Sequence, residues 1–168
     1  MTELPCVNGE ILPDIGRDIA KLAVVERYGK TGGVGIGFVR GFGLKQGALA
    51  YSTSHDHHNI VTVGADDADM ALAVNTVAEM QGGLAVVRGG AVLAKMCLPI
   101  GGLMSTKPAE EVMAEQDAMN EAARQLGCVG SAPVMTLSFI SLPTVPELGL
   151  TDLGLIDVLE HKLIPLEC

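Results

Sequence analysis

The sequence predicts an α+β fold, with a mixed or mostly antiparallel sheet of short strands packed against two main helices. Three observations support this class. Short β-rich runs are separated by glycine-containing turns, two longer segments have apolar residues at helical spacing, and strands do not alternate strictly with helices along the chain. Strict alternation would instead indicate a parallel sheet of the α/β class.

The first part of the chain is predicted to consist mainly of strands. Residues 18–27 have a continuous apolar centre, which is typical of a strand covered on both faces. Residues 34–43 contain glycines between apolar residues and are predicted to form a bent strand, because glycine within a strand marks a bulge or a close backbone approach. Residues 47–53 and 60–64 are two short β-rich runs, so the polar residues 54–59 between them lie at strand ends.

Two segments further along the chain predict the main helices. Residues 66–81 carry apolar side chains three to four positions apart, with Asp66 available as a cap at the start and Gly82 as a stop. Residues 108–126 begin with acidic side chains, which suit the positive end of a helix dipole, and Gly127 follows the last turn.

Three further segments complete the prediction. Residues 84–88 and 91–98 are strand-like runs on either side of a Gly-Gly pair, which indicates a tight β-hairpin. Residues 135–142 alternate apolar and hydroxyl side chains and predict another strand. Residues 149–157 are interpreted as a turn.

The composition limits the classes of function. The chain has 168 residues, 48% of them hydrophobic, and no uninterrupted apolar run of about 18 residues, so no membrane partner is predicted. A net charge of −9 argues against a nucleic-acid partner, because phosphate contacts require clustered Lys and Arg. No signal peptide is visible, which indicates a cytoplasmic protein. The apolar surplus either forms a tight Ala- and Gly-rich core or covers another domain or subunit.

Three of the four histidines occur in one short polar segment. His55, His57 and His58 stand together with Asp56 and Asn59. Imidazole and carboxylate groups can ligate a transition metal, or bind a heterocyclic base and move its protons near neutral pH. An extended strand would separate His55 and His57 from Asp56 and His58, whereas a loop would not. Local hydrogen bonding by Asp56, His58 and Asn59, or simply solvated histidines, are the alternatives.

The order His55-Asp56-His57 also matches the His-x-His pattern of the metal-binding barrels of amidohydrolases. That match is rejected here, because such a barrel takes about 250 residues. The chain also offers no further set of His, Lys and Asp at strand ends to complete a binuclear site. The cysteines form no CxxC pair, so neither a zinc knuckle nor a redox motif is predicted.

Six separated blocks resemble the C-terminal domain of bacterial adenine deaminases. The blocks are GFGLKQGALA at 41–50, SHDHHNI at 54–60, DMALAVN at 69–75, LPIGGLMS at 98–105, KPAEE at 107–111 and MTLSF at 135–139. The resemblance covers residues 18–168, so residues 1–17 are predicted to be an N-terminal extension of that domain.

The resemblance implies hydrolytic deamination of adenine to hypoxanthine and ammonia. In the family, this chemistry belongs to a preceding amidohydrolase barrel that usually holds two manganese or iron ions. The barrel is absent from this chain, so the chain by itself is expected to be inactive, and no cofactor of its own is assigned. The implied partners are the barrel, in cis or in trans, a second copy of the chain in a homo-oligomer, and adenine as the substrate of the full enzyme.

The polar segment also has a counterpart in the family, where it commonly reads His-Asp-Ser-His-Asn. His55, Asp56, His58 and Asn59 correspond to that pattern, while His57 replaces a serine and is the least secure member. The hypothesis is that His55, Asp56 and His58 face the substrate mouth of the barrel, or bind an accessory metal, and help to position or protonate the purine. The alternatives are a purely structural or oligomerisation module, and an independent small metal-dependent enzyme.

Overall fold

An antiparallel sheet of six strands forms the centre of the computed structural model, which describes residues 3–144 and 147–166. A short 3-10 helix, Ile15–Arg17, precedes the third strand. The elements are, in chain order, β1 (Cys6–Val7), β2 (Glu10–Ile11), β3 (Ile19–Val25), β4 (Val34–Arg40), β5 (Ala48–Tyr51), β6 (Ile60–Gly64), α1 (Asp67–Glu79), β7 (Gly83–Arg88), β8 (Ala91–Cys97), α2 (Ala109–Gln125), α3 (Pro133–Ile140), β9 (Leu148–Thr151), β10 (Gly154–Asp157) and β11 (Lys162–Ile164). The main sheet has the order β4-β3-β6-β5-β7-β8.

The two faces of the main sheet are covered differently. On one face, the small residues Ala23, Ala50 and Ala85 lie in one row across the sheet, with Thr62 between the first two, and are buried beside α1. Small side chains let a helix approach the strands closely. The opposite face carries larger residues such as Leu49 and Val86, which pack with α2, α3 and β9 in the larger of the two cores.

The first turn of α1 is tied to the tip of the β7–β8 hairpin. Asp66 caps the helix by accepting a hydrogen bond from the backbone N–H of Asp69 at 2.9 Å. The buried Asp69 carboxylate accepts hydrogen bonds from the backbone N–H groups of Gly89 at 2.7 Å and Gly90 at 2.8 Å. One carboxylate therefore fixes both the start of a helix and the position of a hairpin.

The predicted fold class is confirmed, and so are most of its elements. The helices predicted at 66–81 and 108–126 are α1 and α2, and the Gly-Gly hairpin is β7–β8. The strand predicted within 18–27 is β3, which is buried on both faces for six of its seven residues. In the part of the chain that the structure describes, no helix is both long and apolar enough to cross a membrane.

The strand predicted at 135–142 is wrong, because this segment belongs to α3. Pro133 occupies the first helical position, where its fixed φ favours a helix. Val134, Leu137 and Ser138 are buried at helical spacing, whereas Met135 and Phe139 are exposed. The alternation of apolar and hydroxyl residues was therefore misleading, because burial follows a helical period.

The turn predicted at 149–157 is also wrong, since these residues form most of β9 and β10. This hairpin pairs with β11 and packs across β4. The hairpin can contact β4 because Gly35 and Gly37 have no side chains. A Cβ at Gly35 would overlap the carbonyl oxygen of Thr151, and a Cβ at Gly37 would press on the Leu150 side chain. Of the two meanings that strand glycines can have, a bend or a close backbone approach, the close approach is found at Gly35 and Gly37.

Candidate functional site

The polar segment 54–59, called here the histidine turn, joins β5 to β6 at one end of the main sheet. The turn is closed by its own hydrogen bonds. The backbone N–H of His58 donates to the carbonyl of Ser54 at 2.8 Å, and the Ser54 hydroxyl donates to the carbonyl of Asn59 at 2.6 Å. The loop expected from the sequence is thus a defined turn that holds its side chains in fixed directions.

His57 points into the protein. Its Nδ1 accepts a hydrogen bond from the backbone N–H of Asn59 at 3.1 Å, so Nδ1 carries no proton in this arrangement. Burial is the largest influence on the pKa of His57 and lowers it. His57 therefore acts as a neutral side chain that supports the turn from inside.

His55 lies on the outer side of the turn. Its ring stacks on Phe139 of α3, with the ring centroids 4.8 Å apart, and its backbone N–H donates to the carbonyl of Ser138 at 3.0 Å. The His55 side chain is 40% exposed and that of Asp56 is 85% exposed. The His58 ring lies 6.1 Å from that of His55. The turn thus brings together His55 and His58, which an extended strand would separate.

Arg27, at the end of β3, fixes the backbone of the histidine turn. Its Nε donates to the carbonyl of His58 at 2.5 Å, and its Nη2 donates to the carbonyl of Gly101 at 2.7 Å. The Tyr28 hydroxyl donates to the same His58 carbonyl at 3.2 Å, and the guanidinium lies 4.9 Å from the centre of the Tyr28 ring. The Arg27 guanidinium therefore connects three chain segments: the one after β3, the histidine turn at His58, and the loop at Gly101.

Asn59 connects the histidine turn to the β9–β10 hairpin. Its side-chain amide donates to the Asp152 carboxylate at 2.9 Å, and its side chain is buried. Asn59, His57 and Asp152 line a pocket of about 210 Å³ together with Glu26 and Tyr28. The Asn59 side chain is thus used within the protein, in the same way as that of His57.

Glu26 orders the loop on the other side of this pocket. Burial would raise the pKa of the Glu26 carboxyl, but hydrogen bonds from the backbone N–H groups of residues 28 and 30–32 outweigh that effect and lower it. The carboxylate is therefore ionised and holds the β3–β4 loop in the conformation that presents Arg27 and Tyr28 to the histidine turn.

The proposed ligand set of His55, Asp56 and His58 does not fit a metal ion in this conformation. No group of three or more His, Cys, Asp or Glu side chains within residues 3–144 and 147–166 is arranged to hold one. Nδ1 of His55 and Oδ1 of Asp56 are 3.7 Å apart, and Nδ1 of His58 is buried. No chemical step is therefore derived from a metal bound to this turn.

Sequence reasoning missed five residues of the site, namely Glu26, Arg27, Tyr28, Phe139 and Asp152. A signal existed for the first three, because two charged residues and an aromatic residue directly follow a buried strand. Phe139 was assigned to a strand and Asp152 to a simple turn, so neither was connected with the histidines.

Together, the fold and the site define a small α+β domain that carries a histidine turn among the loops at one end of its sheet. The chain belongs to the family of adenine deaminase C-terminal domains, which matches residues 1–162. The resemblance predicted from the six blocks is confirmed.

Adenine deaminases from three bacteria are among the relatives. The Desulforamulus reducens protein is 64% identical over 162 residues, which are 96% of this chain and 28% of that protein. The Moorella thermoacetica protein is 51% identical over 97% of this chain and 27% of its own length, and a Cereibacter sphaeroides protein is 49% identical over 97% and 29%. The chain thus spans less than a third of the length of these relatives.

Proposed function

We propose that this chain serves as the C-terminal domain of an adenine deaminase, and that its histidine turn faces the catalytic domain. The reaction is the hydrolysis of adenine to hypoxanthine and ammonia. Support comes from the family membership and from relatives named adenine deaminase that are more than three times as long. In this proposal the manganese or iron ions belong to the catalytic domain, which lies in the same polypeptide or a separate one.

The observation that carries this orientation is a group of exposed apolar side chains around the histidine turn. Phe139 stacks on His55, and Tyr28 binds the His58 carbonyl. Ile100 adjoins the Gly101 carbonyl that Arg27 holds, and Leu153 follows the Asp152 that binds Asn59. These four apolar side chains are exposed. Exposed apolar side chains grouped in one region of the surface are typical of an interaction site.

The two sides of the turn have separate roles in this proposal. The Asp56 side chain is exposed and that of His55 is partly exposed, so in this proposal they are the groups that reach a purine held by the catalytic domain. Imidazole nitrogens and a carboxylate can hydrogen-bond the ring nitrogens and the amino group of adenine. His58 lies beside His55 and completes this surface, while His57 and Asn59 hold the turn in place.

A hybrid enzyme tests the proposal. This chain replaces the matching C-terminal part of the Desulforamulus reducens relative, and ammonia release from adenine is measured for the hybrid and for its His55→Ala variant. We expect kcat/KM to fall by about 10²-fold, the lower range for a group that assists proton transfer, with an unchanged metal content. His161→Ala, in the β10–β11 turn, is the control that should keep full activity. Full activity of His55→Ala would contradict the proposal.

The second candidate is an interaction module that binds the catalytic domain or a second copy without contacting substrate. The exposed apolar side chains around the turn favour it, since they do not themselves require a substrate. Titration of the isolated chain with adenine and with manganese, combined with its mass in solution, separates the candidates. Self-association without adenine binding supports the module and the homo-oligomer, and ammonia release by the isolated chain would indicate an independent enzyme.

A further inference from the structure

One face of the main sheet is only partly covered by α1. The helix residues Met70, Ala73 and Val77 pack on β5, β6 and β7, in the smaller of the two cores. A helix is about 10 Å wide and strands lie about 4.8 Å apart, so one helix covers two to three of the six strands. On the same face, Val34 and Ile36 of β4 remain 53% and 45% exposed.

This uncovered face forms a groove between α1 and the edge strand β4, which we call the α1 groove. It consists of two adjoining pockets of about 340 and 520 Å³, which share Val25, Val74 and Asn75 as lining residues. Apart from its two ends, the lining is largely apolar and includes Val34 and Ile36. The two strands beside α1 on this face, β3 and β4, lie about 4.8 Å apart, which leaves room for an extended segment or one helix of about 10 Å beside α1.

The first end of the α1 groove lies where the chain enters the domain. The Lys21 ammonium there contacts Asp67 at 2.7 Å and Glu10 at 3.1 Å. Burial alone would lower the pKa of Lys21, but the hydrogen bonds to these carboxylates outweigh it and raise the pKa. Glu10 belongs to the β1–β2 hairpin, and Arg17 donates to the Glu3 carbonyl at 2.8 Å, so the entering segment is held at this end.

The second end of the α1 groove is the β3–β4 loop, where Glu26 and Arg27 line the groove. Arg27 also holds the His58 carbonyl. An element that lay along the groove would therefore run from the entry of the chain to the edge of the histidine turn.

We propose that the α1 groove receives an apolar segment of the domain that precedes this one in the longer adenine deaminases. In those relatives the matched part is the C-terminal domain and under a third of the length, so the remaining polypeptide leads into the Glu10 end of the groove. The far end of the groove adjoins the face that we assign to the same catalytic domain. The inference rests on the proposed function, because it takes the neighbouring face to contact the catalytic domain. It adds the surface through which the two domains contact each other.

Thiol accessibility tests this docking. Ile36→Cys is made in this chain, and Cys is placed at the aligned position in the complete Desulforamulus reducens relative. The alkylation rate of each thiol is followed by peptide mass spectrometry, which resolves it from the native cysteines. We expect alkylation to be at least about tenfold slower in the complete relative, because a covered thiol is shielded from the reagent. Val92→Cys, on the exposed edge strand β8, is the matched control and should react equally in both proteins.

Each result bears on the docking proposal. Equal rates for position 36 in the two proteins would overturn it, and so would equal slowing at positions 36 and 92. Slow alkylation in the isolated chain that becomes fast on dilution would assign the groove to a second copy, which also overturns it. Val34→Cys repeats the test if Ile36→Cys does not fold. Loss of activity in the His55→Ala hybrid together with equal rates at position 36 would refute the docking surface alone.

Discussion

Removing the Arg27 side chain tests whether the histidine turn is held from outside by its guanidinium group. Arg27→Ala loses two charge-assisted hydrogen bonds, to the carbonyls of His58 at 2.5 Å and Gly101 at 2.7 Å. Hydrogen bonds to charged groups stabilise a fold by about 1.5–3 kcal/mol each, and the Gly101 bond is exposed, so it contributes less. We expect the free energy of unfolding to fall by about 2–3 kcal/mol.

Urea unfolding followed by circular dichroism measures this loss. With a slope of about 2 kcal/mol per molar urea, the midpoint should move down by about 1–1.5 M. Arg27→Lys keeps one charged donor but cannot bridge two carbonyls, so roughly half of the loss is expected. Arg40→Ala, at the exposed end of β4, is the control and should change stability by less than about 0.5 kcal/mol. An Arg27→Ala loss as small as that of the control would refute the role of the guanidinium.

Two further predictions concern buried polar groups. Asp69→Asn leaves one acceptor oxygen for the two amide groups at the hairpin tip, so we expect a loss of about 2 kcal/mol in urea unfolding, and an unchanged midpoint would contradict this. Burial lowers the pKa of His57, so below its ordinary value of 6.5 the unfolded chain takes up a proton more readily than the folded one. The contribution of His57 to the free energy of unfolding should therefore be largest above that pH and decrease as the pH falls through the pKa of the folded state. The decrease should be smaller in His57→Gln. Equal pH dependence of the two proteins would argue against a half-buried neutral imidazole.

The elements predicted correctly are those with signals in their own sequence. The helix α1 has a capping aspartate before it and a glycine after it, and the β7–β8 hairpin has its Gly-Gly pair. The helix α3 has Pro133 as a start signal, but its eight residues include Val, Thr, Phe and Ile, which also favour strands. Its helical state depends on packing of Val134 and Leu137 against the larger core, and a single short segment does not reveal that packing.

The sequence predicts only those residues of the candidate site that stand close together along the chain. The histidines, Asp56 and Asn59 stand within five positions, so their grouping is visible without a structure. The partners that hold them are distant: Arg27 is 31 positions from His58, and Asp152 is 93 positions from Asn59. Contacts of this kind depend on the order of strands in the sheet, which local patterns do not specify.

Residues of a polar cluster can either contact a ligand or support the fold, and the positions of the side chains in the histidine turn distinguish these two roles. A residue that reaches a ligand in another domain must be accessible at the surface, and the side chains of Asp56 and His55 meet that condition with exposures of 85% and 40%. Asn59 does not, since it is buried and its amide is bonded to Asp152, and His57 points inward with Nδ1 bonded within the turn. Substitutions at the outer pair should therefore change catalysis in the complete enzyme more than stability, whereas substitutions at the inner pair should change stability first and catalysis only as a result.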